Sequence, residues 1–320
     1  MRLKLAAFSI TLLVTSAACV AQSFPSKPIT LIVPYPPGGA VDPVARMYGQ
    51  KLTEAWDVPV IVRNVPGAGG TIGISQAAKA QPDGYTVALA AGALSSYASL
   101  YEQLPFDPSK DFTFINLAVG LSLALAANPS LPVDSVSELV AYAKEHPGKL
   151  SYATTGHGTL PHLGTELFKS MADIEILHVP YKGSGASTLA AVAGDVDLIY
   201  DTAFLLSPQV EAGRLKFIAS SGRTRAESIP DVPTFSETYP DYSVESWLGF
   251  IGPAGIPSEV TRKWAEEIVR INEMPDFRAQ LQSQGLAPIS STPDEFSERV
   301  QAEILQWEKV IHDAQISKLN

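Results

Sequence analysis

Short apolar runs alternate with amphipathic stretches along most of the chain. Runs rich in β-branched residues at 29–33, 58–62 and 86–90 predict buried strands. Apolar positions with helical spacing predict helices at 43–54 and 71–79 between them. Because strands and helices take turns, the pattern indicates an α/β domain built on a mainly parallel sheet.

A second series of the same kind follows the apolar run at 121–127. Its predicted strands lie at 150–153, 174–179, 196–200 and 215–220, with helices at 161–171 and 187–193. Ser135, with Glu138 three residues later, has the pattern of a capping box, and it predicts a helix that ends at Pro147 and Gly148. The second series therefore predicts a second α/β domain.

The last part of the chain has the pattern of three helices. They are predicted at 258–270, at 275–284 and from Thr292 onward, after one more apolar run at 247–251. Helices that follow a complete second unit indicate that the chain returns to finish the first one. We therefore expect lobe 1 to comprise 22–122 and 248–320, and lobe 2 to comprise 123–247. Two crossings near 123 and 247 would form a hinge.

The first 21 residues have the pattern of a secretory signal peptide. Arg2 and Lys4 precede an apolar run at 5–14, and small residues lead to Ala21, after which cleavage is expected. The run has about half the length that a membrane-spanning helix needs. The alternative is a lipoprotein with lipid on Cys19, although Ser16 stands where such signals usually carry Leu.

Composition and charge narrow the possible partners. The chain has 320 residues, a formal net charge of -10 and one cysteine, and its Lys and Arg residues form no block longer than two. The positive field that attracts nucleic acid is missing, so nucleic acid is not an expected partner. An exported acidic chain that loses its cysteine with the signal peptide points to a bacterial periplasm and excludes thiol catalysis.

Three predicted strands end in a glycine-rich turn before a helix, at 34–39, 67–70 and 154–159. Glycine lets the backbone approach a ligand, and the N–H groups at the start of the next helix attract anions. The hydroxyls of Thr154, Thr155 and Thr159 add neutral donors. The alternative is that these glycines only form tight turns. Two such turns in separate expected lobes favour a ligand that lies between the lobes.

The sequence does not show an arrangement typical of catalysis or metal binding. The turns at 67–70 and 154–159 lack the third glycine of a dinucleotide fingerprint, and His157 and His162 are five residues apart, so they do not share a helical face. His178 is interpreted as a packed histidine at a strand end. Asp42 either caps the following helix or orients a ligand, and Asp201 is an acidic group at the expected cleft. We expect no catalytic residue, no metal ligand and no cofactor.

The turns and several other motifs resemble those of the Bug family, the TctC-like periplasmic receptors of tripartite tricarboxylate transporters. The resemblance runs from Pro28 to the last helix. The motifs that carry it are Pro34-Tyr35-Pro36-Pro37-Gly38-Gly39, Pro66-Gly67-Ala68-Gly69-Gly70, Pro82-Asp83-Gly84-Tyr85-Thr86, Leu104-Pro105-Phe106-Asp107-Pro108, His178-Val179-Pro180-Tyr181-Lys182-Gly183, Pro230-Asp231-Val232-Pro233-Thr234 and Pro253-Ala254-Gly255.

The resemblance implies a type II periplasmic-binding-protein fold, with two Rossmann-like lobes joined by a two-crossing hinge. It implies a monomeric receptor that binds a small carboxylate (a di- or tricarboxylate, an aromatic acid or an amino acid) and delivers it to the membrane components of a tripartite tricarboxylate transporter. A ligand sensor for a membrane histidine kinase is an alternative, and a periplasmic enzyme is a weaker one. The implied binding residues lie in two opposed loops and beside them: Tyr35, Gly38, Gly39, Ala40, Asp42, Thr154, Thr155, Gly156, Gly158 and Thr159, flanked by Ala91, Gly92, Ser184 and Asp201.

Overall fold

The structure is a computed structural model that describes residues 24–39 and 41–319. The expected signal peptide with its cleavage after Ala21, Cys19 and the site residue Ala40 lie outside the described residues. None of the described helices combines the length and the apolar character that crossing a membrane requires.

Eleven strands in the described part of the chain form two sheets. In chain order they are β1 (Ile29–Val33), β2 (Val60–Asn64), β3 (Thr86–Ala91), β4 (Phe112–Leu121), β5 (Leu123–Ala127), β6 (Ser151–Thr154), β7 (Leu177–Pro180), β8 (Leu198–Thr202), β9 (Lys216–Ser220), β10 (Ser246–Pro253) and β11 (Leu286–Pro288). The first sheet has the order β11-β4-β10-β3-β1-β2, and the second has the order β7-β6-β8-β5-β9. The predicted α/β class with two sheet-based lobes is confirmed.

Helices connect the strands of both sheets. In chain order they are α1 (Val41–Trp56), α2 (Thr71–Ala78), α3 (Tyr97–Leu100), α4 (Val136–Glu145), α5 (Leu160–Ala172), α6 (Ser184–Ala193), α7 (Ala203–Glu211), α8 (Ser258–Glu273), α9 (Pro275–Gln282) and α10 (Pro293–Asp313). Thr292 and Glu295 form a complete capping box at the start of α10. At α4, Ser135 accepts the N–H of Glu138, but the Glu138 carboxylate accepts the N–H of Asp134, so the predicted box is only half formed.

The expectation of mainly parallel sheets is wrong, because both sheets are mixed. Strands β1, β2 and β3 pair in parallel, as do β6, β7 and β8. The strands that carry the chain between the sheets run the other way: β10 is antiparallel to β3 and β4, and β5 is antiparallel to β8 and β9. A strand that enters a sheet from the neighbouring lobe cannot follow the direction set by that sheet's own βα units.

Three segments connect the two sheets. The chain passes from β4 to β5 at Ser122 and returns through Val244 into β10. Helix α10 is the third connection, because Phe296 and Val300 near its start pack into the first lobe's core beside Trp247. Trp307, Val310 and Ile311 near its end pack into the core beneath the second sheet. The hinge thus has a helix beside its two strands, and the lobe boundaries at 122/123 and 247/248 remain a proposal.

Candidate ligand-binding site

The first predicted loop is fixed by Asp42, which is 6% exposed. Its carboxylate accepts hydrogen bonds from the backbone N–H of Gly38 at 3.2 Å and from the amide of Asn64 at 2.9 Å. Arg46, one turn along α1, forms an ion pair with it at 3.0 Å. Both carboxylate oxygens therefore have protein partners, and Asp42 holds the loop against the start of α1.

The electrostatics of Asp42 agree with this positioning role. Burial alone would raise the pKa of its carboxyl group, but the hydrogen bonds from Arg46, Asn64 and Gly38 outweigh burial and hold the pKa below its usual value. The group is thus a stable anion, which would repel a carboxylate placed next to it. Of the two interpretations of Asp42, the structure favours a structural one, in which it shapes the loop rather than contacting the ligand.

The second predicted loop, after β6, contains three threonines in different environments. The hydroxyl of Thr154 shares a hydrogen bond of 2.7 Å with His178, and that of Thr159 donates to the carbonyl of Gly156 at 2.8 Å. The hydroxyl of Thr155 has no hydrogen-bond partner among the described residues, and this side chain is half-buried. Thr155 is therefore the threonine of this loop whose hydroxyl is available to a ligand.

Substituting two of these threonines should have separable effects. Thr155→Val should lower ligand affinity about 10- to 150-fold, because a hydrogen bond to a charged ligand contributes about 1.5–3 kcal/mol, with unfolding unchanged. Thr159→Val should instead lower the unfolding temperature, because the loop loses its bond to Gly156. Calorimetry and thermal unfolding on both variants measure this. Equal effects of the two variants on affinity would contradict the assignment of Thr155.

Ser184 and Asp201 lie beside the second loop. The N–H of Gly183, which precedes α6, donates to the carbonyl of Thr155 at 3.3 Å. Asp201, at the end of β8, is 2% exposed, and its Oδ1 accepts the N–H of Thr202 at 2.7 Å. Its Oδ2 is buried without a hydrogen-bond partner. A buried polar atom without a partner is costly, so this oxygen needs a hydrogen-bond partner that the described residues do not supply.

Burial raises the pKa of Asp201, and the neighbouring Thr202 and Ser184 groups offset only part of this effect. The two predicted acidic residues thus differ in chemistry. Asp42 is held as an anion by its neighbours, whereas Asp201 is protonated more readily than an exposed aspartate, and a protonated carboxyl group can donate a hydrogen bond.

Contacts through α3 link the two loops. Tyr35, half-buried in the first loop, lies beside the Tyr97 hydroxyl, which donates to the carbonyl of Gly69 at 2.7 Å. At the end of α3, the side chain of Leu100 occupies the space where a Cβ on Gly158 would lie. The structure thus brings the glycine turn at 67–70 and the second loop to the same helix. It records no direct contact between Gly38 or Gly39 and the second loop.

The flanking residues Ala91 and Gly92 occupy a packed position. Gly92 is buried, and a Cβ built on it would lie 3.4 Å from the indole nitrogen of Trp247 and 3.6 Å from Leu160. Leu160 begins α5 directly after the second loop, so the end of β3 and the second loop meet here. Gly92 is therefore buried against both Trp247 and Leu160, and this position is packed rather than open to solvent.

A cavity of about 550 Å³ lies elsewhere, beside the connections between the sheets. It is lined by Ser122, Glu245 and Arg299 and by the segment 221–228, and none of the predicted site residues lines it. Its location follows from the fold, because two crossing strands and a helix leave space where they diverge. Nothing in its lining matches the glycine turns that the sequence singles out.

Sequence reasoning missed several residues around the site. Tyr97 and Leu100 come from the short helix α3, and Tyr101 follows it directly; the four residues of this helix carry no sequence signal of their own. His162 and His178 stack beneath the second loop with ring centroids 4.0 Å apart. The motif around His178 was visible in the sequence. Its contact with His162, however, depends on the pairing of β6 with β7, which the sequence does not show.

Comparison with known proteins gives a consistent result. The family model described as tripartite tricarboxylate transporter family receptor, TctC, matches residues 44–316. The protein BugT of Bordetella pertussis is 31% identical over 304 residues, which cover 93% of this chain and 92% of BugT.

Two solved structures share the fold at similar identity. Rpa4515 of R. palustris, solved with adipate, has a TM-score of 0.83 and 32% identity, covering 92% of this chain and 100% of that one. MatC from Rhodopseudomonas palustris, solved with bound malate, has a TM-score of 0.79 and 29% identity, covering 90% of this chain and 100% of that one.

Proposed function

Because the chain belongs to the TctC family of tripartite tricarboxylate transporter receptors, we propose that it is a periplasmic solute receptor that binds a small carboxylate between its lobes. Its solved neighbours include the periplasmic binding protein BugD at a TM-score of 0.80, so the predicted periplasmic-binding-protein fold is confirmed. Export through a cleaved signal peptide at residues 1–21 is part of the proposal. The transporter's membrane components are the proposed partner.

The observation that carries the carboxylate proposal is the set of free neutral donors at the second loop. The Thr155 hydroxyl has no protein partner in the described residues, and the loop leads into the 13-residue helix α5, whose first N–H groups and positive dipole end favour an anion. Glycines at 156 and 158 have φ of 144° and 73°, a backbone conformation that favours glycine and shapes this loop. Adipate and malate in the neighbouring structures are dicarboxylates, which supports the same ligand class here.

Asp201 supplies the second part of the recognition. In the proposed complex, protonated Asp201 donates from Oδ2 to a carboxylate oxygen of the ligand, and this bond satisfies the buried atom that lacks a partner. Neutral donors hold an anion without the strong ion pairs that slow its release. This suits a receptor that must give its ligand up to a transporter. The backbone of Gly38 and Gly39, held in place by Asp42 and Pro36, packs against the ligand from the other lobe.

The protonation of Asp201 predicts a pH effect with a definite sign. The pKa of Asp201 is higher in the folded state than in the unfolded state, so its contribution to folding stability is complete at a pH below the unfolded-state pKa. That contribution is lost as the pH rises through the folded-state pKa. Asp201→Asn removes this loss. We therefore expect the variant to unfold at a higher temperature than the parent at pH 7, and the difference to shrink below about pH 4.

The same variant also tests the binding role. Asp201→Asn should keep carboxylate affinity, because the amide donates as the acid does, while Asp201→Ala should lose about 1.5–3 kcal/mol of binding. Calorimetry at pH 7, with thermal unfolding from pH 3 to pH 8, provides both measurements. An Asn variant that is less stable at pH 7 and binds no better than the Ala variant would show that Asp201 acts as an anion.

A panel of small carboxylates tests the proposed function directly. Thermal unfolding of the exported form should rise with at least one di- or tricarboxylate, aromatic acid or amino acid, since a ligand at 100 times its Kd adds about 2.7 kcal/mol. The bound acid should be recovered unchanged by mass spectrometry. If no acid in the panel stabilises the protein, or if the acid is converted, the receptor proposal fails. Ligand-dependent binding to a sensor kinase's periplasmic domain would favour the sensory role.

A further inference from the structure

Three of the five histidines, His157, His162 and His178, meet beneath the second loop. Each contributes one ring nitrogen to a group of three that lie within 4.8 Å of one another. They come from different parts of lobe 2: His157 from the loop itself, His162 from the first turns of α5 and His178 from β7. His157 is exposed, His178 is half-buried and His162 is 4% exposed, so the group opens to solvent on one side.

Existing hydrogen bonds use one nitrogen of each ring. His162 Nδ1 accepts the N–H of Gly158 at 3.0 Å, and His178 Nε2 shares a 2.7 Å hydrogen bond with Thr154. His157 Nε2 lies 3.3 Å from the carbonyl oxygen of Ser317. The second nitrogen of each ring has no hydrogen-bond partner among the described residues. Each ring is thus oriented through one nitrogen while the other is available, as in histidines that ligate metals.

The charge around the rings permits a cation. Lys169 is the cation that acts on both His162 and His178, and it forms an ion pair of 2.7 Å with Glu166, which reduces its repulsion. The Glu166 carboxylate also accepts the hydroxyl of Tyr152, whose ring stacks on His178 at 4.9 Å. Burial keeps His162 and His178 uncharged at neutral pH, with pKa values of about 2 and about 4. Neutral imidazole is the form that ligates a metal.

We propose that His157, His162 and His178 form a site for a divalent transition metal of the Zn²⁺ and Ni²⁺ class, with water in the remaining position. Neutral imidazoles without carboxylates select these borderline-soft ions over Mg²⁺ or Ca²⁺. Ligating nitrogens on a tetrahedral ion with bonds of about 2.0–2.1 Å lie about 3.3 Å apart. Because a metal lies in the plane of each imidazole that binds it, binding requires the exposed His157 and the half-buried His178 to rotate out of their stack on His162, so that one nitrogen of each ring faces the same ion.

Titration of the exported form with Zn²⁺, without an affinity tag and without carboxylate, tests the site. We expect one ion per chain, and His157→Ala should weaken binding by at least about tenfold, because loss of a ligand costs no less than loss of a residue that orients one. Co²⁺ in place of Zn²⁺ should give the strong visible absorption of a four-coordinate ion. The matched control is His312→Ala, because His312 is exposed on α10 and belongs to no such group.

Each outcome decides the proposal. Loss of Zn²⁺ binding and of the Co²⁺ absorption in His157→Ala, with the parent's affinity in His312→Ala and the parent's circular dichroism in both, supports the site. Absence of Zn²⁺ binding at micromolar concentration, or equal weakening in both variants, overturns it. Because no carboxylate is present, failure here leaves the receptor function untouched.

Discussion

The Gly39→Val variant should lose carboxylate binding while keeping its fold. A Cβ on Gly39 would meet only the carbonyl oxygen of Pro36 at 3.5 Å, an ordinary contact, and its backbone is not left-handed. Unfolding should therefore change by no more than about 0.5 kcal/mol. The valine would, however, occupy the space through which the ligand approaches the loop. Displacing the ligand from its proposed hydrogen bonds with Thr155 and Asp201, at about 1.5–3 kcal/mol each, lowers affinity by at least about 100-fold.

Gly148→Val is the matched control for this variant. Gly148 lies in the turn between α4 and β6, at the amino end of β6 and thus away from the loop that follows its carboxyl end. A Cβ there would meet no atom within 4 Å, but its φ of 68° makes valine cost about 1–3 kcal/mol. We expect this variant to be less stable and to bind normally. If thermal unfolding shows that Gly39→Val is the less stable variant and calorimetry shows that it binds normally, Gly39 is only a turn residue.

Gly158→Ala should weaken binding through the contact between the lobes. Its new Cβ would overlap the side chain of Leu100, and the φ of 73° disfavours alanine. Overpacking of this kind costs about 1–3 kcal/mol. If this cost falls only on the closed, ligand-bound arrangement of the lobes, ligand affinity falls roughly 5- to 150-fold. The ligand-free protein can relieve the overlap by opening, so its unfolding temperature should fall less than that of the complex.

A second substitution identifies the cause. Leu100→Ala removes the overlapping atoms, so affinity in the double variant should return to that of Leu100→Ala alone, and the two substitutions should be strongly coupled. Gly148→Ala carries the same backbone penalty in open space and should bind as the parent does. Additive losses in the double variant would show that Gly158 acts on the loop alone and not through Leu100.

The sequence predicted most long elements because their apolar patterns are strong. Strand β1 was predicted with its observed bounds, and helices α1 and α8 within three residues at each end. The missed elements β11, α3 and α7 are short or contain a proline, as α7 does at Pro208, and they depend on tertiary packing. The ten-residue strand β4 was also missed, although it is the longest strand of the described residues. Strand direction was mispredicted because a pattern of apolar residues does not tell which strands cross between lobes.

The candidate site, like the fold, could be predicted from the sequence only in part. Glycine and threonine spacing indicated both loops, which remain the proposed site, since such residues have a local reason to occur where backbone meets ligand. It could not show that Thr155 keeps a free hydroxyl while Thr154 and Thr159 do not, because that depends on His178 and on the folded loop. The histidine group was invisible because His178 reaches it through the pairing of β7 with β6, where it lies opposite Tyr152.

Amide hydrogen exchange with and without a stabilising carboxylate tests the location of the ligand most directly. The interlobe account predicts that slowed exchange concentrates at residues 35–39, 41–42 and 154–159, with further protection at 91–100, where the lobes touch. Protection confined to residues 221–228 and 244–246, around the cavity beside the hinge, with unchanged exchange in both loops, would contradict it.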